Sequence, residues 1–375
     1  MKKRHRIFLK AGAFRIALVV VTAVMLATFV FGTAISARAS RDATRDIYRY
    51  DHGRYNAVAT SGAVHAMTSA RGMATIEMTS GRVLYAKNAG ARLAMASTTK
   101  IATAITVLEN VTDVNEIVTV NPKAIGIEGT SIYLQKGEKL SVLDLLYGVM
   151  LRSGNDASTA LALHVSKSVD EFGELMNQTA RKAGAMNTNF KNPHGLDEEG
   201  HYTTALDLAR ITAYAMHNEI FAKIVSTKEI RIPGVDYPRI LHNKNRLLRS
   251  LDGCVGVKTG FTSKAGRCFV GAREEAGMTV ICVVLNCGPM FPESEALMEQ
   301  AGREYYMHCV LAAETVIRPT HSNKGTRVAM VDRDYFYPLR PSEIDRLEIS
   351  INEKHICVFL DDKLILTAPY IVPGG

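Results

Sequence analysis

Apolar residues recur along this chain with two different periods, and the change between them marks out its parts. Between about residues 98 and 217 they return every three to four positions, the spacing of helices with one buried face. Ile101, Ile105 and Leu108 predict a helix over Thr98–Val111. Val142–Arg152, with Ser141 placed to cap it, and Ala157–Val165 predict two more, interrupted at Ser153-Gly154-Asn155. Glu171–Ala183 and Thr203–His217 continue the helical stretch. Ahead of it, Gly72–Met78 and Arg82–Tyr85 bracket Thr79-Ser80-Gly81 and predict a hairpin. From Gly256 to about Asn286 the pattern becomes three short apolar runs parted by Gly-containing or charged turns, which predicts strands. Glu293–Glu314 is then expected to close over that sheet as a helix.

Past Thr315 the composition shifts again. Arg318 to Gly325 has the character of a linker, and Leu347–Ile351, His355–Leu360 and Lys363–Thr367 cluster apolar residues at strand length. The expected organisation is a main domain over residues 65–314 and a small β-rich module over 315–375. Residues 40–64, polar and rich in Tyr and Arg, are expected to be a linker. Residues 1–39 carry seven Lys/Arg and no Asp or Glu, and the 22 residues from Ile16 to Ala37 are uncharged. A basic start followed by an apolar run is the orientation of an export signal. Ala37-Arg38-Ala39 resembles a signal-peptide cleavage site, yet 22 residues also suffice for a membrane anchor. Either way the remainder is expected outside the cytoplasm, in the cell envelope, secreted or tethered to the membrane.

Charge adds to this picture mainly by its distribution. The net charge is +8, but outside residues 1–39 there are 38 basic and 37 acidic residues, so no nucleic-acid partner is implied. Six cysteines lie in the C-terminal third, and no C-x-x-C pair suggests structural zinc. Cys268 and Cys282 fall inside strand-like runs, where buried free thiols are expected.

Three short motifs carry candidate chemistry: Ser97-Thr98-Thr99-Lys100, Ser153-Gly154-Asn155 and Lys258-Thr259-Gly260. Singly each has an ordinary reading, as a helix cap beside a solvated lysine, a polar turn, and a surface strand. Together they make one active site. A serine hydroxyl needs a base to take its proton, and Lys100 sits one helical turn beyond Ser97 on the same face. Burial and a second cation, expected from Lys258, would leave Lys100 neutral and able to act as that base. Ser153 can pass a proton to a leaving amine. Asn155 offers a donor and an acceptor to a substrate backbone. Lys258 and Thr259 can hold a carboxylate, and Gly260 permits close approach of an extended peptide along the strand. The main-chain N–H groups of Ser97 and Phe261 are the expected oxyanion hole.

These motifs, with Asn192-Pro193-His194-Gly195-Leu196, His201-Tyr202-Thr203-Thr204 and Phe261-Thr262, resemble those of serine-type D-Ala-D-Ala carboxypeptidases, the low-molecular-mass penicillin-binding proteins. The similarity covers roughly residues 65–310. It implies an α/β fold of the β-lactamase/transpeptidase kind, an antiparallel sheet flanked by helices with a helical subdomain. It also implies an acyl-enzyme at Ser97, Lys100 and Ser153 as further catalytic groups, Lys258 in substrate binding, and no cofactor. The substrate implied is a peptidoglycan stem peptide ending in D-Ala-D-Ala, with β-lactams as inhibitors. Relatives often carry Arg as a carboxylate contact where this chain has Lys244, a point charge without a fork. Many also end in an amphipathic membrane helix, which Pro369 and Pro373 disfavour here. A class A β-lactamase needs a glutamate-activated water, usually from a Glu-x-x-Leu-Asn segment that is not found between Asp156 and Lys258. A non-catalytic penicillin sensor has no need of Lys100 beside Ser97. A zinc peptidase reading of His194, His201, Asp197 and Asp207 is weakened by the seven-residue separation of the histidines, which is not a helical ligand pair.

Overall fold

The computed structural model describes residues 64–65, 68–320 and 328–371. The expected signal or anchor segment, and all but the last residue of the expected linker, lie outside these. The centre of the fold is a six-stranded sheet of β1 (Val64–His65), β2 (Gly72–Glu77), β3 (Val83–Lys87), β4 (Cys254–Thr262), β5 (Gly266–Glu275) and β6 (Met278–Leu285). Its spatial order is β1-β3-β2-β6-β5-β4, antiparallel except for β1 beside β3. The unbroken apolar run of β6 follows from its central place. Ile281, Val283 and Leu285 enter the core on one face, Val280, Cys282 and Val284 the core on the other. A strand covered on both sides needs no alternation with polar residues.

One face carries the helical part: α1 (Lys100–Asn110), α2 (Val142–Tyr147), α3 (Asn155–Val165), α4 (Val169–Lys182), α5 (Ala205–Met216) and α6 (Glu219–Ser226). Ser141 caps α2 through a reciprocal bond with Asp144, as its position predicts. Helix α2 then widens into a π turn over Gly148–Arg152, which Ser153 ends with φ +66°. The other face is covered by α7 (Met290–Glu304), whose Leu297, Met298 and Ala301 meet Phe269 and Val280.

The expected helix over 293–314 is therefore too long. After Glu304 the chain turns extended as β7 (Tyr306–Leu311), which pairs with β8 (Tyr335–Leu339). The Tyr-Tyr-Met-His-Cys-Val-Leu sequence is rich in strand formers, and Leu311 belongs to the core of the C-terminal module. That module begins in structure at Tyr306 rather than 315. It is completed by the three-stranded meander β9 (Leu347–Ile351), β10 (His355–Leu360) and β11 (Lys363–Pro369). Two short ribbons, 117–119 with 139–141 and 229–232 with 239–242, lie outside the main sheet. No helix among the described residues is long and apolar enough to cross a membrane.

Candidate active site

Ser97 lies in a single 3-10 turn, Ala96–Thr99, from which α1 continues directly. Two glycines let this turn sit where it does. A Cβ on Gly195, whose φ is +85°, would fall 2.0 Å from the Ala96 carbonyl oxygen, and one on Gly260 would fall 3.0 Å from the main-chain nitrogens of Ser97 and Thr98. The closeness expected at Gly260 is thus used by the Ser97 turn, which nests against edge strand β4. Ala96 itself holds φ +50°, an uncommon conformation for a residue with a side chain.

Lys100 opens α1 and is wholly buried. Its Nζ reaches Ser97 Oγ at 3.0 Å, Asn155 Oδ1 at 2.7 Å and the His194 carbonyl at 2.5 Å. A neutral amine has two N–H groups and one lone pair. The two carbonyl oxygens can only accept, so they take both hydrogens, and the lone pair is left for the one partner that can donate, the Ser97 hydroxyl. Burial, then the charges of Lys258 and Lys244, hold Lys100 well below the ordinary lysine range, with Asp156 opposing them. Lys258, also buried, is brought down to about 7 by burial and by Lys244.

The Ser153-Gly154-Asn155 break is brought to Lys100 through Asn155, at the start of α3. Both ends of the Asn155 amide are engaged, since its Nδ2 donates to the Glu128 carbonyl at 2.5 Å. Ser153 Oγ is buried and has no hydrogen-bond partner among the described residues, a condition rare for such an oxygen and common where a reacting group will sit. Lys244 is on the exposed rim, its Nζ 3.3 Å from Thr130 Oγ1; partial burial and Arg152 lower its pKa. Along β4, Thr259 is half-buried and Phe261 is 66% exposed. Thr262 donates to Asp197 at 3.0 Å, joining the strand to the loop after His194.

The histidines serve this loop. His201 Nδ1 accepts from the Lys191 N–H at 3.0 Å, so its Nε2 carries the hydrogen toward Thr99 Oγ1 at 2.9 Å. Burial and Lys100 push His201 down to about 4 and His194 to about 3. Asp207 accepts instead from Asn187 and Thr188. Among the described residues no three His, Cys, Asp or Glu side chains are grouped to hold a metal ion.

The structure joins the first two motifs through Lys100 and Asn155, and it adds the carbonyls of Glu128 and Thr130, which accept from Asn155, and of His194, which lies at Lys100. A main-chain acceptor leaves no residue signature. Only the glycine of Asn-Pro-His-Gly-Leu hints at a tight turn there.

A family model described as D-alanyl-D-alanine carboxypeptidase matches residues 58–288. The chain belongs to the D-alanyl-D-alanine carboxypeptidase family. The D-alanyl-D-alanine carboxypeptidase DacF of Bacillus subtilis (strain 168) is 38% identical over 232 residues, 60% of this chain and 59% of the relative. DacC of Escherichia coli (strain K12) is 37% identical over 245 residues, 61% of this chain and 60% of the relative. The match thus spans about three fifths of each of these carboxypeptidases. The crystal structure of penicillin binding protein 5 from Haemophilus influenzae superposes with a TM-score of 0.70 at 27% identity, over 83% of this chain and 98% of that one. The sheet, its flanking helices and the C-terminal module are accordingly the carboxypeptidase fold the motifs imply.

Proposed function

We propose that the protein is an exported serine D-Ala-D-Ala carboxypeptidase that removes the terminal D-Ala from peptidoglycan stem peptides. The observation that carries this reading is the three-way setting of Lys100, whose two carbonyl partners leave its lone pair for Ser97. Ser97 Oγ attacks the penultimate D-Ala carbonyl while Lys100 takes its proton. The tetrahedral oxyanion lies at the main-chain N–H groups of Ser97 and Phe261. Collapse breaks the peptide bond, and the departing D-Ala amine takes a proton relayed through Ser153, leaving an ester on Ser97. Water, with Lys100 again as base, hydrolyses that ester and restores the hydroxyl. Lys258, Thr259 and Lys244 hold the terminal carboxylate, and the peptide extends along β4 as an added strand.

The same path acylates Ser97 with a β-lactam, whose tethered leaving group cannot depart. The cell envelope is the site of action in this reading, with residues 1–39 directing export and Ile16–Ala37 serving as a tether if retained. Incubation of the full chain with a peptide ending in D-Ala-D-Ala is expected to release D-Ala. Ser97→Ala is expected to lower that release on the order of 10⁴-fold or more. Equal release by the two proteins overturns the mechanism, and fast turnover of penicillin moves the reading to a β-lactamase.

A further inference from the structure

Lys100 is aimed by two acceptors, one a main-chain carbonyl and the other the Asn155 amide. The amide is the less secure, because a half-turn about its bond exchanges oxygen for NH2. Asn155 is kept the right way round by residues 126–137, a segment with no helix or strand of its own. The Glu128 carbonyl accepts from Asn155 Nδ2 at 2.5 Å, and the Thr130 carbonyl accepts from its main-chain N–H at 2.7 Å.

Two side chains clamp that segment. From inside, the buried Asp156 carboxylate accepts from Ser131 Oγ at 2.6 Å, from the Ile132 and Leu134 N–H groups at 3.1 and 3.0 Å, and from Ala157 N–H at 2.9 Å. From outside, Arg239 donates to the Ile132 carbonyl at 2.8 Å and the Tyr133 carbonyl at 3.0 Å, while pairing with both oxygens of Glu138. Between the clamps Tyr133 is held at φ +61°. A bulky residue adopts this only when its surroundings impose it, so without the clamps the segment has reason to relax.

We infer that Asp156 is a positioning residue for the reaction: it anchors residues 131–134, which hold the adjoining Glu128 and Thr130 carbonyls on Asn155, and the Asn155 amide so oriented aims the Lys100 nitrogen at Ser97. Asp156 bonds to neither Ser97 nor Lys100 and acts through Asn155. Arg239 supports the same segment from its far side. The inference rests on the proposed peptidase reading only where substrate turnover is measured, since acylation by penicillin reports the Ser97–Lys100 pair directly.

Asp156→Asn keeps the size of the side chain but leaves one accepting oxygen, and its NH2 faces main-chain donors. It also removes a negative charge near Lys100. The groups then facing Lys100 are Lys258, Lys244 and the neutral His194 and His201, so its pKa falls further. The test compares the full chain with Asp156→Asn and Arg239→Gln, using acylation by a fluorescent penicillin and D-Ala release across pH. Asp156→Asn is expected to lower the acylation rate and kcat roughly 10- to 100-fold with little change in KM, and to move the acid limb of the rate to lower pH. Arg239→Gln should lower both rates about three- to ten-fold with the acid limb in place. A folded Asp156→Asn protein with unchanged kcat and pH profile overturns the inference. If that variant does not fold, an unchanged acylation rate in Arg239→Gln overturns it instead. Should the wild type take up penicillin but release no D-Ala, the carboxypeptidase reading fails while the acylation rates still decide the role of Asp156.

Discussion

Two clusters of cations in this molecule are withdrawn from solvent, and they are treated in opposite ways. At the junction of the main sheet with the C-terminal module, Arg82 bonds Glu343 at 2.6 Å and the Pro338 carbonyl, and lies over the rings of Tyr305 and Tyr337. Arg340 pairs with Glu304 at 2.9 Å and also lies over the Tyr305 ring. In the groove, Lys100 and Lys258 are buried with only uncharged oxygens within hydrogen-bond reach. Arginine paired with carboxylate stays charged and ties two parts of the fold together. Lysine set among carbonyls and other cations surrenders its proton readily. Burying a cation in this way costs stability, and in the proposed mechanism it makes Lys100 a base that is neutral at working pH.

The sharpest way to break this contrast is to exchange the cations. Lys100→Arg installs a group that does not deprotonate. We expect a loss of acylation and D-Ala release of roughly 10²–10⁴-fold, measured by penicillin labelling and by a D-Ala assay on folded protein. A variant that retained activity would show that the base lies elsewhere.

The next effect is in pH. Lys100 must lose its proton to act, so kcat is expected to rise with pH along an acid limb set well below ordinary lysine values. In the proposed reading Lys258 must keep its proton to attract a carboxylate, and burial with the charge of Lys244 brings its pKa down to about 7. KM should therefore increase above that pH while kcat does not fall with it, a split visible when kcat and kcat/KM are profiled separately. A KM that stays flat through pH 8 would remove Lys258 from carboxylate binding.

The smallest effect belongs to the junction. Arg82→Lys loses the fork and the ring contacts, and is expected to lower stability by about 2 kcal/mol with kcat unchanged, read by denaturant melting beside the activity assay. A fall in kcat per folded molecule would couple the module to the groove.

These two clusters also differ in how far sequence alone exposed them. Ser97, Lys100, Ser153, Asn155 and Lys258 stand in short motifs at fixed spacing, so the groove's chemistry was legible. The helices from Thr98 to His217 and the meander from Leu347 followed from apolar period, although Lys100–Val107 and Asn155–Ala162 are buried on every side. The junction was not legible. Arg82 and Glu304 are far in sequence from each other and from the neighbouring Arg340 and Glu343, and nothing local distinguishes the four from surface charges. The same holds for Asp156 and Arg239, whose partners are mostly main-chain atoms. The helix predicted through Glu314 failed where strand pairing with Tyr335–Leu339 outweighed a pattern that both structures satisfy.

The outer edge of β4 has one more consequence, for self-association. An unpaired sheet edge that could take an incoming peptide could also take a second copy of the protein, the usual start of aggregation. Here Val225 of α6 lies against Gly256 in the first part of the strand, and Lys258, at the start of what remains, is buried. The stretch from Lys258 to Thr262 is five residues long, with the Ser97 turn packed beside it. In the proposed reading this stretch is what the tail of an extended peptide would pair with.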